Sequence, residues 1–178
     1  MQTNQLPYVD WQDCPTQCCP RFKPESWQDA TLHLDDMLFV KFSVRSIFHI
    51  PLNMGGVFTR VLGAIDKAGA KSQDAYLTLS HDPSLWRSEH YMLVTKEVPG
   101  ETMVRLSGDF VSQVYEGPFS HMGKWSQALT DFVKQKGMTM VKPYFFYSTC
   151  PKCAKHYGKN YVVGIAQVKS IATQSIFQ

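Results

Sequence analysis

The most specific chemical spacing in this 178-residue chain belongs to its cysteines. Cys150-Pro-Lys-Cys153 sets two thiols three positions apart, and Cys18-Cys19 stand side by side far upstream. Thiolates spaced C-x-x-C on a turn grip one tetrahedral ion and need two further ligands from elsewhere. Cys18 and Cys19 can supply one or both, with Cys14 and His156 as alternative donors. The expectation is a structural zinc ion that clips the N-terminal segment to the body. Two other chemistries stay open. Cys-Pro-x-Cys also serves thiol–disulfide exchange, where a helix N-terminus lowers the thiol pKa, although here the motif falls in a strand connection. Reduced thiols half-buried at an arm–body contact need do no chemistry. Residues Met1 to Asp10 lack the basic start and apolar stretch of a secretory signal, so a reducing, cytoplasmic setting is expected, with thiols or metal ligands rather than disulfides.

A second constellation pairs an acid with an imidazole. Strand alternation puts Arg45, Ile47 and His49 on one face of a strand, and Ser112, Val114 and Glu116 on one face of another. A carboxyl kept from water has a raised pKa and serves as general acid or base, or pairs with a cationic ligand. Glu116 is therefore the first catalytic candidate and His49 the second. The competing reading makes Glu116 a turn cap and His49 a satisfied surface residue. Arg45 and the aromatic residues Trp86, Tyr91, Tyr115 and Tyr147 are candidates to bind and stack a planar ligand, strand aromatics otherwise being core. Neither G-x-x-x-x-G-K-[ST] nor G-x-G-x-x-G occurs, so no nucleotide cofactor is expected, and without G-x-S-x-G a serine elbow has no support.

The elements that must position these groups are legible as a weak internal repeat. Residues 1 to 36 carry Pro7, Pro15, Pro20 and Pro24 and few periodic apolar positions, which predicts an irregular arm whose Trp11, Phe22 and Trp27 pack on the body. From Phe39 the chain repeats itself: Ile47-Phe48-His49-Ile50-Pro51 aligns with Val114-Tyr115-Glu116-Gly117-Pro118, Phe58 with Trp125, Leu62 with Leu129, and Tyr91-Met92-Leu93-Val94 with Tyr161-Val162-Val163-Gly164. Each half reads as a strand ending at a Pro turn, a helix with apolar residues at three- and four-residue intervals, a glycine stop at Gly69 or Gly137, and two further strands. The joining segments His81-Asp82-Pro83-Ser84 and Cys150-Pro-Lys-Cys153 read as turns.

The expected fold is thus α/β of the α+β kind, a single domain over residues 37–178 built from two β-α-β-β units (about 39–98 and 110–168) related by a pseudo-twofold. Helices cover one face and a ligand groove lies on the other. At 44% hydrophobic and 13% aromatic the chain has enough apolar residues for such a core. Its longest apolar runs are far short of the roughly 20 residues that span a bilayer. The net charge of +3 is too small for a duplex-binding footprint, so nucleic acid is not an expected partner. Charge is uneven, however: residues 1 to 38 hold six acids against two bases, and an acidic arm lying on a basic body is one consequence.

These residues resemble the GyrI-like and SOUL superfamily of small-molecule-binding domains. The duplicated pattern over Phe39 to Val168 matches, as does Val114-Tyr115-Glu116-Gly117-Pro118-Phe119 followed by the Trp125 helix. Cys18-Cys19-Pro20-Arg21-Phe22, Phe48-His49-Ile50-Pro51-Leu52-Asn53 and Cys150-Pro151-Lys152-Cys153-Ala154-Lys155 are similar to a stand-alone branch often labelled as hydrolases. The resemblance implies binding of a small apolar or aromatic molecule in the central groove, with hydrolysis of it in that branch. The alternatives are a non-enzymatic inhibitor or sequestering protein and a thiol-redox protein using Cys150 and Cys153.

Overall fold

The computed structural model describes residues 3–47, 50–73 and 75–170. The chain runs β1 (Thr31–Ile47), β2 (Ile50–Pro51), α1 (Met54–Ala68), β3 (Thr78–Ser84), β4 (Arg87–Leu93), β5 (Thr102–Glu116), α2 (Met122–Gln135), β6 (Met138–Tyr147), α3 (Pro151–Tyr157) and β7 (Tyr161–Ser170). Leaving aside the two-residue β2 and the short α3, the order strand–helix–strand–strand occurs twice. All strand pairings are antiparallel, and six strands close on themselves in the order β1-β4-β3-β6-β7-β5, with β5 returning to β1. Closure depends on the length of β1, which pairs with β5 over Thr31 to Lys41 and with β4 over Phe39 to Arg45.

The closed sheet has an outside and an inside. Outside, α1 lays Val61 and Ile65 on Val40, Phe42, Met92 and Val94, and α2 lays Leu129 and Val133 on Val111, Ala166 and Val168. Burying an apolar helix stripe on a sheet face is the main stabilising contact available to an amphipathic helix. Gly69, at φ 60°, ends α1 in the left-handed conformation that a residue without Cβ adopts freely. Inside lie Leu32, Leu34, Phe39, Leu77, Leu79, Tyr91, Phe110, Tyr144, Phe146, Val163 and Ile165, with Trp27 of the arm among them.

Two β-bulges decide which side chains face inward. Between Leu34 and Met37 the register of β1 shifts, so that even-numbered Leu32 and Leu34 and odd-numbered Phe39 all point inside. Between Met140 and Lys142 the register of β6 shifts likewise, leaving Met140 against the outer helix cluster and Tyr144 and Phe146 inside. One extra residue inverts the face of everything beyond it.

Three sequence expectations change. A 3-10 turn at Pro24–Ser26 and the first strand, from Thr31, both lie inside the segment expected to be irregular, the strand because Leu32 and Leu34 find burial only in the company of β5. His81 to Ser84 extend β3 rather than turning, and the Cys150 connection folds into α3, with Cys150 at its N-cap and Pro151 in its first turn. Finally, the face expected to form a groove is packed: Trp27 is 2% exposed among the inner aromatics, held by a 2.7 Å hydrogen bond from Ser112 Oγ to its carbonyl. Helix-covered strands make up the outer wall as expected, and the arm occupies the inner one.

Candidate functional site

The inner face has two ends. Where β3 turns into β4, the apolar lining gives way to charge. Glu89 follows Tyr91 inward on β4 by alternation, and its side chain is 9% exposed. One carboxylate oxygen meets Lys41 Nζ at 3.0 Å and the Arg87 guanidinium. The other accepts the Tyr91 hydroxyl at 2.7 Å and faces Lys142 Nζ at 3.7 Å. Burial works against its charge, but the hydrogen bonds from Tyr91, Arg87 and Lys41 outweigh it and hold the Glu89 carboxyl at about 2. At neutral pH Glu89 is a fixed negative charge, too weak a base to take a proton.

Lys142 sits over the rings of Tyr91 and Tyr144, at 5.0 and 5.1 Å from their centres, and donates to Tyr91 Oη at 2.9 Å. Burial lowers its pKa, and the Lys41 charge adds to the effect against the pull of Glu89. His81 reaches the same end from β3, with its ring 6.0 Å from that of Tyr144. Its Nδ1 lies 3.0 Å from the Pro143 carbonyl oxygen, which can only accept, so Nδ1 carries the proton and Nε2 has a free lone pair. Burial, then the Lys142 charge, pushes the His81 pKa down and keeps the ring neutral. His90, the other histidine of this hairpin, is packed between Phe42 and Phe58 on the outer side, with its nitrogens on Ser80 and Ser88; burial holds it at about 4, as a satisfied core residue.

At the opposite end the arm crosses the mouth of the ring. The sulfurs of Cys18, Cys19, Cys150 and Cys153 all lie within 4.8 Å of one another, a group of four that could hold a metal ion. Around them Tyr157 Oη donates to the Cys19 carbonyl at 2.7 Å, the Cys150 amide points to Cys19 Sγ at 3.4 Å, and Thr16 Oγ1 stands 3.3 Å from Cys153 Sγ. Burial raises the Cys19 thiol, while contacts with Thr16 and the neighbouring sulfurs outweigh burial at Cys153 and bring it to about 7. Four soft donors at mutual tetrahedral reach suit zinc.

The sequence candidates divide between these ends. Arg45, paired with Arg87 across β1 and β4, joins Tyr91 and the exposed hairpin residue Trp86 at the charged end. Glu116 is at the thiol end, half exposed, 3.7 Å from Lys159, beside a shallow cavity of about 430 Å³ shared with Pro118, Lys155 and Asn160. Tyr115 stacks on Trp125 and Tyr147 touches Met122, so both face the outer helix α2, away from Tyr91. His49 lies outside the described residues. Sequence reasoning missed Lys41, His81, Glu89 and Lys142. Alternation could have put Glu89 beside Tyr91, but Lys142 reaches the inside through a bulge that leaves no sequence mark.

A family model described as bacterial hydrolase matches residues 9–168. No curated protein matches the chain. Among solved structures, the C-terminal domain of EcmrR superposes with a TM-score of 0.62 at 13% identity, covering 81% of this chain and 98% of that one. EcmrR also appears in a DNA complex, where 58% of its chain is covered. A hydrolase from Listeria innocua gives 0.55 at 14% identity, over 80% of this chain and 92% of that one. The structure of SAV2435 bound to tetraphenylphosphonium gives 0.52 at 10% identity, over 83% and 98%.

Proposed function

The chain belongs to the bacterial hydrolase family, and we propose that it binds a small molecule at the charged end of its sheet ring and hydrolyses it there. The observation that carries this reading is the neutral His81 ring, fixed by the Pro143 carbonyl with Nε2 free, beside the ammonium of Lys142. A neutral imidazole accepts a proton from water as that water attacks an acyl carbon, then returns it to the leaving group. Lys142 and Lys41 stand where they can neutralise the oxyanion that forms. Glu89 keeps these cations together without titrating. The aromatic neighbour ligand of SAV2435 favours a small-molecule role for this fold.

The test is turnover of a chromogenic aryl ester by the parent, His81→Gln and Glu116→Gln. Removing a general base costs about a hundredfold in rate. Loss in His81→Gln with Glu116→Gln unaffected is the expected result. The reverse outcome would move the site to the thiol end, and equal activity in all three would end the hydrolytic reading.

A second reading concerns the four sulfurs, and the observation that favours it is their mutual approach within 4.8 Å. We infer that Cys18, Cys19, Cys150 and Cys153 hold one structural zinc ion that fastens the arm over the ring. With four protein ligands such a site leaves no open position for substrate, so its role is in folding rather than turnover.

A further inference from the structure

The charged end contains more cations than its one buried acid can balance. Lys41, Arg87 and Lys142 converge on Glu89, and Arg45 lies across from Arg87; against the two acids of this end, Glu89 and the hairpin residue Asp82, these four cations leave two positive charges in excess. We propose that this end of the ring recognises a small organic anion, a carboxylate or phosphate monoester with an apolar body. The proposal rests on the small-molecule reading above and names its ligand class.

The geometry supports it in three ways. The Lys41 and Lys142 side chains are 30% and 27% exposed, so both ammonium groups are partly removed from water yet reachable. Each has three N–H donors; Lys41 uses one on Glu89, and Lys142 uses one on Tyr91 and leans toward Glu89. Donors therefore remain for a ligand oxygen. Half-buried cations in excess repel one another, and an anion placed between them relieves both the repulsion and the lost hydration. Lys142 is already oriented by the Tyr91 and Tyr144 rings beneath it, so it does not have to be ordered on binding. At the rim, Ile47, Leu85 and Trp86 are large apolar side chains 43%, 43% and 57% exposed. An apolar ligand body would cover them while its anionic group meets the lysines. For a hydrolase this is also product logic, since hydrolysis of an ester or amide at His81 releases a carboxylate next to these cations.

Calorimetric titration with benzoate, phenyl phosphate and, as the opposite charge, tetraphenylphosphonium tests the class. Saturable binding of benzoate or phenyl phosphate that weakens steeply with added salt is expected, with the two arms separating carboxylate from phosphate recognition. Lys142→Met and Arg87→Gln, each checked for native circular dichroism, should each weaken the anion about tenfold, one charge-assisted hydrogen bond being worth that much. Lys124→Met on the outer helix should leave it unchanged. Binding of the phosphonium without either anion would overturn the anionic class and leave the small-molecule reading standing. Anion binding that survives both variants would overturn the site. If no probe binds while His81-dependent ester turnover persists, the ligand class falls and the hydrolytic site remains.

Discussion

Cys18 and Cys150 stand 132 positions apart in the chain, and their sulfurs lie 3.9 Å from each other. Cys19 and Cys153 complete the group, so the arm and the connection between β6 and β7 meet through four thiols. Protein purified without chelators should contain about one zinc per chain, because a C-x-x-C pair completed by two more thiolates makes a closed tetrahedral site. Cys153→Ser should release the metal and expose the arm to proteolysis ahead of the body. Metal analysis with limited digestion reads both effects, and metal-free protein with a protected arm would contradict the zinc site.

Glu89 ties stability to acid pH. Its folded-state pKa is depressed from 4.5 to about 2, so its contribution is fully present above 4.5 and is lost as pH falls toward 2. A displacement of that size corresponds to about 3 kcal/mol at neutral pH. Glu89→Gln should lose about that much at pH 7, since it leaves Lys41, Arg87 and Lys142 facing one another, and the deficit should vanish near pH 2. Denaturant unfolding of both proteins at several pH values checks it. A constant difference across the range would assign the loss to packing.

Turnover through His81 has its own pH signature. The working form is the neutral ring, and burial with the Lys142 charge lowers its pKa from 6.5. Rate should therefore rise with pH through a midpoint below 6.5 and be flat at neutrality. In Lys142→Met that midpoint should move up, because a repelling positive charge is gone. An unmoved midpoint would separate the two residues functionally.

Trp27 is the test of the packed interior. Trp27→Ala removes a fully buried indole whose ring lies 5.4 Å from Phe146, at a cost of about 3 to 5 kcal/mol. The cavity left is apolar, so a small aromatic such as indole should raise the melting temperature of the variant and not that of the parent. Equal response in both would mean that the parent interior is already open.

Gly164 reports on the register of β7. A Cβ there would stand 2.9 Å from Tyr115 Cε2 and 3.2 Å from a Leu129 methyl, in the layer where Tyr115 stacks on Trp125 under α2. Gly164→Ala should cost about 1 to 3 kcal/mol through overpacking. Tyr115→Leu in the same chain should recover part of it, because that ring is the nearest obstacle. Chemical denaturation of the single and double variants measures the coupling.

Local signals in the chain were enough for the repeated strand–helix–strand–strand order, the α1 cap at Gly69 and the outward stripes of α1 and α2, and they pointed the N-terminal cysteines toward Cys150 and Cys153 while leaving Cys14 and His156 open as donors. These depend on periodicity, on backbone freedom at one residue, and on the scarcity of soft ligands, all of which are written in sequence. Alternation separates Tyr115 from Glu116 on β5, so the expectation that both line one groove conflicts with the strand's own period, and Tyr115 stacks on Trp125 under α2 instead. Folding in three dimensions decided the rest. The bulges after Leu34 and Met140 inverted the faces of β1 and β6, and a one-residue slip of that kind has no composition of its own. Closure of the ring then brought Lys41 from β1, Glu89 from β4 and Lys142 from β6 to one point, and Trp27 into the space expected to be a groove. Those contacts join residues from about fifty to well over a hundred positions apart, and their energies exist only once the strands between them have paired.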